Sequence, residues 1–225
     1  MSGHSHYATT HRQKELKDAA KGQIFSRLAR AITIAAKSGG GPNPDSNFKL
    51  RIAIDKARAV SMPKENIERA IAKAEGGGEA LEEVLYEGFG PGGVFILVEA
   101  ATDNRNRTNS EIKNLFDKNG GKMGSPGSVS FNFDPKGLLI IKKEVDVDEQ
   151  ILKLIDKGAD DVKETGDEIE VYMSPDKIEM FGAELIQKPK TFQKIEGETV
   201  EKVEKFLENL ENYEDVQKVF TNADF

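Results

Sequence analysis

The stretch ATDNRNRTNSEI, residues 101–112, sets two arginines and three asparagines directly after a short apolar run. Arg105 and Arg107 are planar forks of N–H donors that match phosphate or carboxylate oxygens. Thr108 followed three residues later by Glu111 is the Thr-x-x-Glu pattern that caps a helix start. Such a start offers unpaired backbone N–H groups and a partial positive charge. Arginines at a helix terminus make an anion site, and Asn104, Asn106 and Asn109 add donors and acceptors. The plain alternative is local pairing of both arginines with Asp103 and Glu111. That accounts readily for one arginine. Two in a polar loop favour an external anion, and nucleic-acid phosphate is the natural candidate.

The charge along the chain points the same way. The 225 residues carry a net charge of -7. Residues 1–75 nevertheless hold 14 lysines and arginines against 7 acidic residues, which leaves 18 against 32 for the remainder. A basic head on an acidic body can meet phosphate at one end and repel it at the other. In the head, Lys14, Lys17 and Lys21 continue one helical stripe, and Arg12 precedes them. Lys49 with Lys56, and Arg51 with Arg58, are seven apart, so each pair stacks along a second helix.

Other chemistry finds less support. With no cysteine in the chain, disulfides, thiolate catalysis and cysteine-bound metals are excluded, and a reducing cytosol fits. His4, His6 and His11 lie near the N-terminus without a carboxylate framework for a metal. Contact with nucleic acid is the more natural use of His4 and His11. Gly88 to Gly93 spells G-x-G-x-x-G, but a strand follows it and Pro91 interrupts it, so a tight turn is expected and no dinucleotide cofactor. Glu198, Glu201, Glu204, Glu208 and Glu211 recur at threes and fours beside Val200, Val203 and Leu207, the pattern of a solvated helix face. No nucleophile–base pairing and no phosphate-binding G-K-S/T occurs, so neither catalysis nor a cofactor is expected. No run is long enough to cross a bilayer and no secretory signal opens the chain, so a cytoplasmic location is expected.

The elements that must position these residues follow from periodicity. A helix is expected over residues 10–37, with Ile24, Phe25, Leu28, Ile32 and Ala35 on one stripe. Residues 38–44, SGGGPNP, end it. A second helix over 46–60 buries Leu50, Ala53, Ile54 and Ala57. A third begins near Pro63, capped by Ser61 or Met62, and buries Ile67, Ala70, Ile71 and Ala74. EGGGE, residues 75–79, reads as a linker. Beyond it come a strand over 93–101, a helix capped at Thr108, a strand over 128–133, a turn at 134–137 and a strand over 138–143. A helix over 147–157, a strand over 168–173, a helix opened by Ser174-Pro175, a helix over 198–210 and a strand over 216–221 complete the chain. Short strands and few helices predict an α+β fold of three domains: an N-terminal helical domain and two small ferredoxin-like α+β domains.

Several blocks carry a resemblance. GHSHYATTHRQK, KGQIFSRLAR, AIDKARAVSMPKENIERAI, YEGFGPGGV, DNRNRT, GGKMGSPGSVSFNF and VQKVFTNADF occur in this order. Together they resemble the YebC/PmpR family, which includes the mitochondrial translational activator of cytochrome oxidase. The resemblance spans nearly the whole chain; where the family usually has Lys-Trp, this chain has His6-Tyr7. It implies a cytoplasmic regulator of gene expression and not an enzyme, described in the family both as a DNA-binding transcriptional regulator and as a ribosome-associated factor easing proline-rich synthesis. It also implies a discontinuous middle domain. The expected division is 1–77 for the basic helical domain, 78–134 with 198–225 for the middle domain, and 135–197 for the third. Strand 216–221 should therefore pair with strand 93–101.

The expected function is a non-catalytic nucleic-acid-binding regulator, with DNA and ribosomal RNA as rival targets and a lean to RNA on the ribosome. The expected contacts are His4, Tyr7, His11, Arg12, Lys14, Lys17, Lys21, Lys49, Arg51, Lys56, Arg58, Arg105 and Arg107, with Tyr7 available to stack on a base. The chain is expected to act as a monomer, away from membranes. A protein-interaction adaptor and an enzyme on a small phosphorylated ligand are the competing readings.

Overall fold

The computed structural model describes residues 18–38, 40–76 and 81–225. Three helices come first: α1 (Asp18–Ser38), α2 (Phe48–Ala59) and α3 (Lys64–Glu75). Their stripes meet as expected, with Ile32, Leu50, Ile54, Ala57, Ile67 and Ala70 buried together. Ala35, Ala36 and Ala53 are buried in the same cluster. Thr33, buried between them, donates its hydroxyl to the Ala29 and Ala70 carbonyls at 3.0 and 2.8 Å. Asn47 fixes the corner between α1 and α2. Its side chain accepts from the Leu50 N–H at 3.0 Å and donates to the Ala35 and Gly41 carbonyls, each at 2.7 Å.

The start of α3 departs from expectation. Pro63 itself occupies the N-cap position, while Ser61 takes a left-handed conformation (φ 58) that ends α2, and Met62 is buried.

The middle sheet is built from β1 (Glu82–Phe89), β2 (Phe95–Thr102), β3 (Lys122–Met123) and β9 (Val216–Thr221), in the order β3-β1-β2-β9. Helices α4 (Arg105–Lys118) and α7 (Glu198–Glu211) cover one face. The glycine motif is the β1–β2 hairpin turn, a short 3-10 segment at Pro91–Gly93 with Gly92 at φ 74. At Gly88 a Cβ would lie 2.3 Å from Phe116 Cε1 and 2.7 Å from the Lys122 carbonyl, so only glycine lets α4 and β3 close on β1. The expected pairing of β9 with β2 is present, antiparallel, with Val98 opposite Val219.

Between β3 and α7 the chain builds a second sheet from β4 (Phe133–Lys142), α5 (Val147–Asp156), β5 (Asp161–Thr165), β6 (Glu168–Met173), the short α6 (Ile178–Phe181) and β7 (Glu184–Pro189). The succession strand–helix–strand–strand–helix–strand with order β5-β6-β4-β7 is the ferredoxin-like arrangement. After it, β8 (Gln193–Lys194) pairs in parallel with β10 (Ala223–Asp224). Leu97 and Phe220 of the middle sheet bury against Leu138, Tyr172 and Ile186 of the second. Each sheet therefore has helices on one face and the other sheet on its opposite face.

Two expectations fail between 128 and 143. Residues 130–132 form a 3-10 turn, and β4 runs unbroken through the expected turn at 134–137. Pro135 is tolerated because residues 133–136 pair only with β7, and β6 joins from Gly137 onward. The turn before β4 is organised by Glu87. This buried carboxylate accepts from the Gly127, Val129 and Ser130 N–H groups at 2.7, 2.7 and 2.8 Å. Burial pushes it up, but the three N–H groups outweigh that and hold it below the usual carboxylate range.

Candidate nucleic-acid interface

Arg105 and Arg107 do not lie in a loop before a helix capped at Thr108. They sit in the first turn of α4, and Asn104 is the cap, accepting from the Arg107 N–H at 3.1 Å. Thr108 has a tertiary task. Its buried hydroxyl lies 2.7 Å from Thr102 Oγ1 and donates to Asp215 Oδ2 at 2.6 Å.

Asp215 lies just before β9 and its side chain is wholly buried. Arg107 reaches Asp215 Oδ2 at 3.1 Å and Asp103 at 2.8 Å. From the other side Arg30 of α1 reaches Asp215 Oδ1 at 3.1 Å and also donates to the Glu214 carbonyl. Burial pushes Asp215 up, but Thr108, Arg107 and Arg30 outweigh it and hold the carboxyl below its usual range. Its hydrogen bonds to Asp215 and Asp103 raise the Arg107 guanidinium. A second α1 arginine, Arg27, donates to the Glu211 carbonyl at the end of α7. The Asp215 carboxylate therefore ties the helical head to the middle sheet. Sequence reading missed Arg27, Arg30 and Asp215, because no spacing links residues some 185 positions apart.

The second-helix rows divide similarly. Lys56 pairs with Glu184 at the start of β7, and Glu184 also holds Lys218 of β9 at 2.7 Å. One carboxylate so joins all three parts of the fold. Burial pushes Glu184 up, but Lys218 and Lys56 hold it far below the carboxylate range. Burial also pushes the Lys56 ammonium down, against the pull of Glu184. Replacing Glu184 with Gln leaves two facing ammonium groups without their anion. The expected loss, read by urea denaturation, is about 1–3 kcal/mol.

Arg51 stands over the Phe48 ring and lies 3.7 Å from Glu179. Arg58 makes only an exposed pair with Asp55 at 3.5 Å, an interaction worth little in water. Lys49 and Arg105 are exposed and have no ion pair among the described residues, and Lys21 is exposed on α1. His4, Tyr7, His11, Arg12, Lys14 and Lys17 lie outside the described residues. Among the described residues no group of His, Asp and Glu is arranged to hold a metal ion. No described helix is long and apolar enough to cross a membrane.

The arrangement matches known proteins along its length. Residues 5–77 match the TACO1/YebC protein N-terminal domain, and residues 81–223 match the TACO1/YebC second and third domain. The chain belongs to the TACO1/YebC family. A relative in Chloroflexus aurantiacus, named a probable transcriptional regulatory protein, is 47% identical over all of this chain and 96% of its own length. Another so named, in Dictyoglomus thermophilum, is 45% identical over the same shares. The crystal structure of a conserved hypothetical protein from Aquifex aeolicus, 42% identical, superposes with a TM-score of 0.84 over 95% of this chain and 94% of that one. Family membership thus accounts for both the helical head and the paired sheets.

Proposed function

We propose that the chain is a non-catalytic regulator of gene expression that grips nucleic acid with its basic head, most naturally RNA on a translating ribosome, where it eases proline-rich synthesis. The carrying observation is the division of labour among the cations. Arg30, Lys56 and Arg107 pair with the buried or nearly buried carboxylates Asp215 and Glu184, while Lys49 and Arg105 face solvent. The inner set sets the head at a fixed angle to an acidic body, and the outer set supplies the phosphate contacts. His4, Tyr7, His11, Arg12, Lys14 and Lys17 extend that set, with Tyr7 stacking on a base. Arg58, and the outer edges of Arg51, Lys56 and Arg107, complete it.

The relatives' name supports a regulator and keeps duplex DNA as the second reading. The sequence carries no clear recognition-helix motif for a major groove, and a basic arm on an acidic body suits structured RNA.

The pair Lys49→Glu with Arg105→Glu tests this, because neither residue supports the fold. Arg107→Glu is a poor probe, since it would strip Asp215 of a partner. Co-sedimentation with ribosomes over a salt series should weaken strongly in the double variant while its melting temperature holds. The slope of log affinity against log salt should fall by about 0.7 for each single-strand phosphate that the variant no longer neutralises. Tight binding of one duplex DNA sequence, with no ribosome association, would establish the transcriptional reading instead.

A further inference from the structure

The outward side of α5 leaves large apolar residues uncovered. Its inward side is ordinary: Val147, Ile151 and Leu154 pack against the second sheet. Leu152 and Ile155, three apart and hence neighbours on the helix surface, are 61% and 51% exposed. Val145, just before the helix, is fully exposed where a hydrophobic staple would normally tuck it in. Isolated exposed apolar residues are common, but Leu152 and Ile155 are adjacent on one face, and Val145 adds a third just before the helix.

Its rim is acidic. Asp148 and Asp156 lie four residues before and four after Leu152, on the same face. Glu144 precedes the helix, and Lys153 is already paired with Glu149 at 2.9 Å. Such a surface repels phosphate, so it cannot extend the nucleic-acid grip. A cationic segment with an apolar stripe complements it in both respects.

We infer that the outer face of α5 is a docking surface for a basic amphipathic helix of a partner protein, with Leu152 and Ile155 as anchors and Asp148 and Asp156 as the charged rim. This surface is independent of the nucleic-acid reading. The head grips nucleic acid and α5 takes a protein, so the chain would bridge two components of one assembly.

The test uses the full chain and a labelled helical peptide of leucine and lysine with one apolar face, followed by fluorescence anisotropy. A peptide of the same composition, scrambled to destroy the stripe, is the comparison. Wild type should bind the striped peptide at least about tenfold more tightly than the scrambled one. Leu152→Ser with Ile155→Ser should abolish that preference without changing the melting temperature, since both side chains are exposed. Asp148→Lys with Asp156→Lys should weaken binding in a salt-dependent way. Lys49→Glu with Arg105→Glu should leave it intact, which separates this proposal from the fate of the nucleic-acid reading. Equal binding of both peptides, or binding unaffected by the serine pair, overturns it. So does displacement of the peptide by single-stranded RNA, or a dimer of the chain that the serine pair dissolves.

Discussion

Asp215→Ala is expected to cost about 3 kcal/mol, the low end of the range for stripping one partner from a buried ion pair, because Arg107 is partly exposed. The carboxylate is wholly buried and serves Arg30, Arg107 and the Thr108 hydroxyl together. Without it two guanidinium groups are left near each other with no buried anion between them, Arg30 20% and Arg107 43% exposed. Urea denaturation gives the magnitude, and hydrogen exchange gives the location: amides of α1 near Arg30 and of the first turn of α4 should lose protection first. The effect should depend on pH in a definite direction. Asp215 is held below its ordinary value in the fold, so its stabilisation is complete above the unfolded value of about 3.9. That stabilisation is lost as pH falls through the folded value. The gap between wild type and Asp215→Ala should therefore be constant near neutrality and shrink below about pH 4. A loss under about 1 kcal/mol, as for a surface pair, would show the junction to be wet.

Phe206→Ala should be of similar size, about 3–5 kcal/mol, by a different route. Phe206 is fully buried on α7 and meets Phe116 of α4 edge to face, with ring centroids 5.0 Å apart. A Cβ on Gly121 would lie 2.9 Å from its ring, so the cavity is walled by backbone that relaxes little. Removing the ring loosens the one helix that carries the chain back to β9. Hydrogen exchange should rise in β9 and in β2 beside it, while β4 and β6 of the second sheet hold their protection. Uniform loss across both sheets would mean that they unfold as one unit.

The helical head was largely legible. Stripes at Leu50, Ala53, Ile54 and Ala57 are all buried, because a helix packed on two others obeys its own period. The strands at 168–173 and 216–221 stand where periodicity put them. Strands β1, β5 and β7 were not legible. In β1 the burial does not alternate cleanly, since both faces are covered near its end. Thr108 misled because its hydroxyl serves Asp215, a residue that no local pattern could supply. At the candidate site the sequence supplied the local partner of Arg107, Asp103, but not the distant one, Asp215. Whether a lysine or arginine is free to meet phosphate is decided by tertiary neighbours such as Glu179, Glu184 and Asp215.

The return of β9 to β2 also dictates a timetable for synthesis. Strand β2 leaves the ribosome with only β1 to pair with, and its other edge waits for residues 216–221, which follow the whole second sheet. In between, β4 to β7 can close among themselves, since their sheet borrows no strand from elsewhere. Until β9 is made the nascent chain thus carries an apolar, half-paired strand, the kind of edge that templates aggregation. A chain stalled or clipped before residue 216 should be a substrate for chaperones or proteases, not a shorter working protein.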